Sequence, residues 1–372
     1  MKTDTLGIYI HIPFCKSKFR YCDFHSYAGV LHLQDAYIDR LCREIQTTGF
    51  LRRVDTIYIG GGTPTLLPPA QLVRILELLR DKYIITDDAE ITVECNPATI
   101  DADGLRTLRQ GGVNRLSIGL QSTDDAMLEK LGRAHTAADF ETCYHAARQA
   151  GFDNISIDLM FGLPDQSMSI WTQTLHTVLS YGAEHLSCYS LKIEDGTPFA
   201  SMPLHLPDDD TNRDMYDRCT AMLEEAGYQR YEISNFAKPG CASRHNMKYW
   251  QCDDFAGFGA GAYSCKNNIR YSNLPGLQSY MDAIDRYGAA PDTAVQLSKR
   301  DRMSEFLFLG LRMCDGVSET EFEERFGLPL DDVYGGEICR HIMRGLMLRE
   351  NGRLKLHPDM LYVSNSILVD FV

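Results

Sequence analysis

The chain has 372 residues, 44% hydrophobic and 24% charged, a balance that suits a globular protein with one large α/β barrel and a small appendage. Its formal net charge of −14 argues against a nucleic-acid or anionic-membrane surface, where a basic patch should dominate. Twelve cysteines without a basic-then-apolar leader point to a reducing, cytoplasmic setting instead of a disulfide scaffold, and no apolar run approaches the roughly 18–20 residues of a membrane span.

Short β-branched or aromatic runs alternate with helical patterns over the first 235 residues. Strands are expected at Gly7–Ile12, Val54–Ile59, Ala89–Cys95, Val113–Gly119, Asn154–Met160 and Glu184–Leu191, with one more extended stretch at Tyr228–Ser234. Several of them read as nearly continuous apolar runs, as strands covered on both faces should. Between them, Leu33–Thr47, Pro69–Lys82, Asp101–Gln110, Ala137–Ala150 and Ser169–Tyr181 carry apolar residues at helical spacing. This alternation implies βαβ units and a parallel sheet, either an open doubly wound one or a full or partial (β/α) barrel. Ligand-type residues follow five different strands, which favours a barrel mouth over a single crevice. From Pro275 helical patterns take over, at Leu277–Tyr287, Ser298–Met313, Ser318–Phe326 and Tyr334–Leu348, before a turn at Glu350–Asn351–Gly352 and a strand at Arg353–His357. That order predicts a small helical, winged-helix-like unit, in which Glu319, Glu321, Glu323 and Glu324 favour docking or scaffolding over DNA binding. The expected division is a barrel core over 1–235, a motif segment and connector over 236–290, and the helical unit over 291–372.

Three local features carry chemistry. The first predicted strand runs into a loop with Cys15 and Cys22, and close-set thiolates in one loop are what an iron–sulfur cluster needs. Two alone also fit a pair of unrelated thiols, and no second C-x2-4-C or H-x3-5-H pair supports zinc. The second strand ends in Gly60-Gly61-Gly62-Thr63, which exposes backbone N–H and C=O groups to a ligand but lacks the G-K-[ST] of a phosphate loop. Gly257-Phe258-Gly259-Ala260-Gly261 has the wrong spacing for a dinucleotide fingerprint. Glu94, Gln121 and Asp158 lie at the ends of three further strands; singly each is also a cap or turn residue. The third feature is a loop string, Arg244-His245-Asn246-Met247-Lys248-Tyr249-Trp250, combining an imidazole with two aromatic rings.

In this order the features resemble the radical SAM family, whose C-x3-C-x2-C loop holds three irons of a [4Fe-4S] cluster and whose fourth iron chelates S-adenosylmethionine. Tyr9-x-His11-x-Pro13-Phe14-Cys15 and Tyr21-Cys22-Asp23-Phe24 fit that loop, but Phe19 stands where the middle cysteine belongs. The resemblance makes Cys15 and Cys22 iron–sulfur ligands, with the cluster absent, labile or completed by another donor such as His11 or His25. It makes Tyr9, Gly61, Gly62, Thr63, Glu94, Gln121, Arg133 and Asp158 contacts of S-adenosylmethionine. The H-N-x-x-Y-W string is similar to that of the heme-chaperone branch of the coproporphyrinogen-oxidase-like proteins, which puts His245 in a heme-ligand place. The true oxidases carry a further cysteine where this chain has Phe24, and a longer segment before the first cluster cysteine. The resemblance therefore implies heme binding and delivery, with porphyrinogen oxidation as the alternative. Its implied partners are heme, acceptor hemoproteins (membrane-bound ones included) and a second copy in a homodimer, and no nucleic acid.

Overall fold

The computed structural model describes residues 5–48 and 52–372. Strand β1 (Thr5–Ile12) sets the plan: Leu6, Ile8, Ile10 and Ile12 are fully buried in the main hydrophobic core, and the alternate Tyr9 and His11 face the other way. The same period of two recurs in β2 (Arg53–Gly61), β3 (Ile84–Cys95), β4 (Arg115–Gln121), β5 (Ile155–Phe161) and β6 (His185–Ser190). These six strands pair in parallel, each with the next. Their apolar positions meet helices α1 (Gln34–Thr47), α2 (Pro69–Lys82), α3 (Ala102–Gln110), α4 (Asp125–Leu131), α5 (Ala137–Gln149) and α6 (Met168–Tyr181). Their polar positions bond one another, as in Ser117 to Asp158 and Tyr58 to Glu94. Near-continuous apolarity is therefore not the rule: one face of each strand lines a polar interior.

After α7 (Asp209–Glu225), the stretch expected as one strand over Tyr228–Ser234 keeps only the short β7 (Gln229–Arg230), and β8 (Asn235–Ala237) begins just beyond it. The buried carboxylate of Glu232 accepts bonds from Ser234 N–H and Asn235 Nδ2 and so stabilises the bend between them. Next come α8 (Arg244–Trp250), β9 (Phe255–Phe258), β10 (Tyr263–Lys266), β11 (Ile269–Asn273), α9 (Leu277–Tyr287) and β12 (Pro291–Gln296). Gly257 and Phe258 of the glycine string thus lie in a strand that pairs in parallel with β1. Nothing in its composition announces it, because the edge of β1 supplies the hydrogen bonds. The sheet order is β12-β11-β10-β9-β1-β2-β3-β4-β5-β6-β8-β7, and its two end strands do not pair, which makes the architecture a partial barrel.

The remaining chain forms α10 (Lys299–Gly310), α11 (Glu319–Phe326), α12 (Leu330–Met343) and a three-stranded antiparallel sheet of β13 (Val317–Ser318), β14 (Met347–Glu350) and β15 (Arg353–Leu356), ordered β13-β15-β14. These elements bury their own core around Phe306, Phe322, Tyr334 and Leu354, as expected of a winged-helix-like unit. No helix among the described residues is long and apolar enough to cross a membrane.

Candidate functional site

The parallel strands all end on one side, and the loops there enclose a cavity lined by Cys15, Phe19, Cys22, Gly61, Gly62, Thr63, Glu94, Gln121, Arg133 and Asp158. Ten residues expected in the site are thereby brought together. The glycine loop is tied to the cysteine loop through Gly62 N–H to Ile12 O and Thr63 N–H to Phe14 O, each at 2.8 Å. A Cβ on Gly62 would stand 2.5 Å from Phe14 O and 2.9 Å from Cys15 Sγ, so only glycine admits this approach. Asn96, which sequence reasoning missed, donates to Thr63 Oγ1 and accepts from Arg133.

Two partly buried carboxyls line the same cavity. Glu94 accepts from Tyr58 OH and Gly61 N–H at 2.9 and 3.0 Å, yet burial lifts its pKa to about 7. Asp158 accepts from Ser117 and Ser156 at 3.0 Å, and burial again raises it. Gln121 adopts φ +70, an unusual value for a non-glycine, where the β4–β5 register shifts; its Oε1 accepts from Tyr189 OH. Such strain concentrates at ligand-holding positions.

The third thiolate place is filled. Phe19 stacks on Tyr21 at 5.9 Å, and the Arg133 guanidinium lies 4.1 Å from the Phe19 ring centroid. Arg133 also donates to Tyr21 OH, Asn96 Oδ1 and Gly119 O, while its buried Nε has no partner among the described residues. His11 cannot stand in for the lost thiolate. Its Nδ1 meets Tyr9 OH at 3.0 Å, its Nε2 meets His25 O at 2.8 Å, and burial pushes its pKa down to about 4. Among the described residues no three His, Cys, Asp or Glu side chains converge as a metal site. The donor set therefore does not fit a [4Fe-4S] cluster.

Two expected site residues lie elsewhere. Tyr9 sits beneath the cavity, stacked on Tyr58, rather than in its lining. His245 is on a helix, not in a loop: Ser243 caps α8, and the Glu90 carboxylate accepts from the N–H groups of Arg244 and His245, both at 3.0 Å. This helix closes the opposite end of the barrel, where Lys248 pairs with Asp55 at 2.9 Å. His245 is 1% exposed, with Nδ1 2.9 Å from Thr56 Oγ1 and Nε2 2.8 Å from Tyr249 OH. Burial, reinforced by the charges of Lys248 and Arg115, pushes its pKa down to about 3. The imidazole is neutral and both nitrogens are engaged, so in this conformation it has none to offer iron. Its ring stacks on Tyr58 at 5.3 Å, and Tyr58 OH reaches Glu94, which links the two ends of the barrel. The inward positions Thr56 and Tyr58 carry no motif of their own, although their period-two spacing on a strand marks them.

Known proteins resemble this chain over nearly its whole length. Residues 9–178 match the radical SAM superfamily model and residues 297–359 the HemN C-terminal domain model. The chain is 37% identical to the heme chaperone HemW of Bacillus subtilis (strain 168) over 98% of both proteins. It is 34% identical to HemW of Escherichia coli (strain K12), covering 96% of this chain and 97% of the relative. Among solved structures, coproporphyrinogen III oxidase (HemN) from Escherichia coli superposes with a TM-score of 0.86 at 25% identity, over 99% of this chain and 90% of that one.

Proposed function

From the premise that this chain belongs to the heme chaperone HemW family of the radical SAM superfamily, we propose that it binds heme and passes it to acceptor hemoproteins. One observation carries the choice of carrier over enzyme: Phe19, stacked on Tyr21 and covered by Arg133, stands at the position of a cluster thiolate. Porphyrinogen oxidation by radical chemistry needs the cluster that Cys15 and Cys22 alone do not complete. The residues around Phe19 nevertheless suit S-adenosylmethionine. Glu94 and Asp158 match ribose hydroxyls, Arg133 a carboxylate, and the Gly61–Thr63 backbone the close approach of a ligand. The mouth is thus a nucleoside-binding place that modulates the carrier.

Hemin titration followed by visible absorption, then mixing with an apo-hemoprotein, tests this reading. Saturable binding at one heme per chain, followed by transfer, is expected. Absence of saturation, or release of 5′-deoxyadenosine from S-adenosylmethionine under reducing conditions, would sink it.

A further inference from the structure

A further imidazole lies inside the barrel, and its partners fix which of its nitrogens carries the proton. His185 opens β6 and is 1% exposed. Parallel register sets Ser117 of β4, Ser156 of β5 and His185 side by side. His185 Nδ1 lies 2.8 Å from Ser156 Oγ, which also donates to Asp158 Oδ1 at 3.0 Å. On the other side, Nε2 lies 2.8 Å from the hydroxyl of Tyr231, in the bend between β7 and β8. The Tyr231 hydroxyl oxygen also accepts from the N–H of Ser243, the cap residue of α8. The Tyr231 carbonyl accepts from Cys314 N–H, just beyond α10, at 3.0 Å. One row of hydrogen bonds thus runs from the mouth to α8 and to the winged-helix-like unit.

Counting donors orients every link. Ser243 N–H can only donate, and the Tyr231 proton has no acceptor besides His185 Nε2 among the described residues. Nε2 is therefore the acceptor, Nδ1–H donates to Ser156, and Ser156 donates to the Asp158 carboxylate. A protonated Asp158 reverses the row. Ser156 then turns to Nδ1, the imidazole proton sits on Nε2, and the Tyr231 hydroxyl loses its acceptor. Burial, followed by the charge of Arg115, pushes the His185 pKa well down, so the ring exchanges tautomer and not charge. Asp158 is the group that titrates. Burial raises it, while Ser117, Ser156, Arg115 and Arg133 favour its carboxylate. Glu94 faces it as a second acid, and burial keeps the neighbouring Tyr21, Tyr58, Tyr189 and Cys188 protonated.

Resting on the nucleoside reading of the mouth given above, we propose that His185 is a tautomeric switch that couples occupancy of the mouth to α8 and the winged-helix-like unit. A ligand whose ribose hydroxyls donate to Asp158 holds the carboxylate and locks the Nδ1–H form. Proton uptake by the empty site selects the Nε2–H form. In that uptake three hydrogens each cross their own bond: from Tyr231 to Nε2, from Nδ1 to Ser156, and from Ser156 to Asp158. Water returns a proton to Tyr231, so the net change is one proton gained and nothing is oxidised or reduced. His185 does not line the cavity and is a positioning residue. Its two tautomers are the two-state element that both ends bias.

Imidazole nitrogen NMR of the full chain, isotopically labelled at histidine and with S-adenosylhomocysteine as probe, tests the switch. On acidification the free protein should convert from Nδ1–H to Nε2–H at His185, and the complex should convert only at lower pH. The Ser243 amide resonance should move with the tautomer in wild type and stay fixed in Tyr231→Phe. His185→Leu should weaken S-adenosylhomocysteine about tenfold. His185→Asn keeps a donor in the Nδ1 place but does not reach Tyr231, so it should restore affinity and leave Ser243 unresponsive. An Nε2–H ring in the complex, or one tautomer throughout with and without the probe, would overturn the switch. A wild type that binds no S-adenosylhomocysteine would sink the nucleoside reading. The acid titration of the free protein then judges the switch by itself, and a fixed tautomer there rejects it.

Discussion

The two ends of one barrel are built from the same strands and put to opposite uses. At the α8 end each ring nitrogen of His245 has a protein partner, the helix N-terminus is met by Glu90, and Lys248 is paired with Asp55. At the mouth Gly62 keeps its backbone bare, Gln121 holds a strained φ, and Arg133 Nε has no partner among the described residues. A closed hydrogen-bond network stabilises the fold, while an incompletely satisfied one awaits a ligand. The imidazole of the most ligand-like motif thus sits where both its nitrogens are already satisfied, although Trp250 Nε1 on the same helix is buried without a partner among the described residues.

Phe19→Cys should separate the ends most sharply. Restoring the third thiolate should take anaerobically reconstituted protein from almost no bound iron to about four irons per chain. If the wild type already holds four irons and cleaves S-adenosylmethionine, Phe19 does not disable the mouth. The α8 end answers to stability instead. His245→Ala removes the stack on Tyr58 and strands Thr56 and Tyr249, so denaturant unfolding should show a loss of roughly 2–4 kcal/mol. A loss under about 0.5 kcal/mol would refute the closed network.

Acid should pull the two ends apart. His245 has a pKa lowered to about 3 in the fold, so the unfolded chain takes up its proton first. The stability it contributes is complete above about pH 6.5 and is lost as pH falls toward 3, about 2 kcal/mol of it by pH 5. Glu94 acts in the opposite sense. Its carboxyl is raised to about 7, so the fold holds the proton more tightly and Glu94 becomes destabilising as pH rises from about 4.5 to 7. Between pH 7.5 and 5 the two contributions nearly cancel, so on acidification the melting temperature should rise in His245→Gln and fall in Glu94→Gln; equal slopes would remove the contrast. The smallest effect concerns binding at the mouth. Asp158→Asn should weaken S-adenosylhomocysteine about tenfold by calorimetry, or about 1–1.5 kcal/mol, with little change in melting temperature. Unchanged affinity would take Asp158 out of the nucleoside site.

Much of this is legible in the sequence by itself. Strand and helix order follows from local periodicity, and the glycine loop, Glu94, Gln121 and Asp158 sit at strand ends because parallel topology puts them there. The resemblance to the HemW family rests on those same local strings. Tertiary structure alone decides the rest. Only folding brings Arg133 onto Phe19, pairs the Gly257 strand with β1, and leaves the sheet open between β12 and β7. It also sets the state of His245, whose partner Thr56 lies 189 residues away. A side chain's free nitrogens and its burial are properties of its neighbours, and these neighbours are distant in the chain.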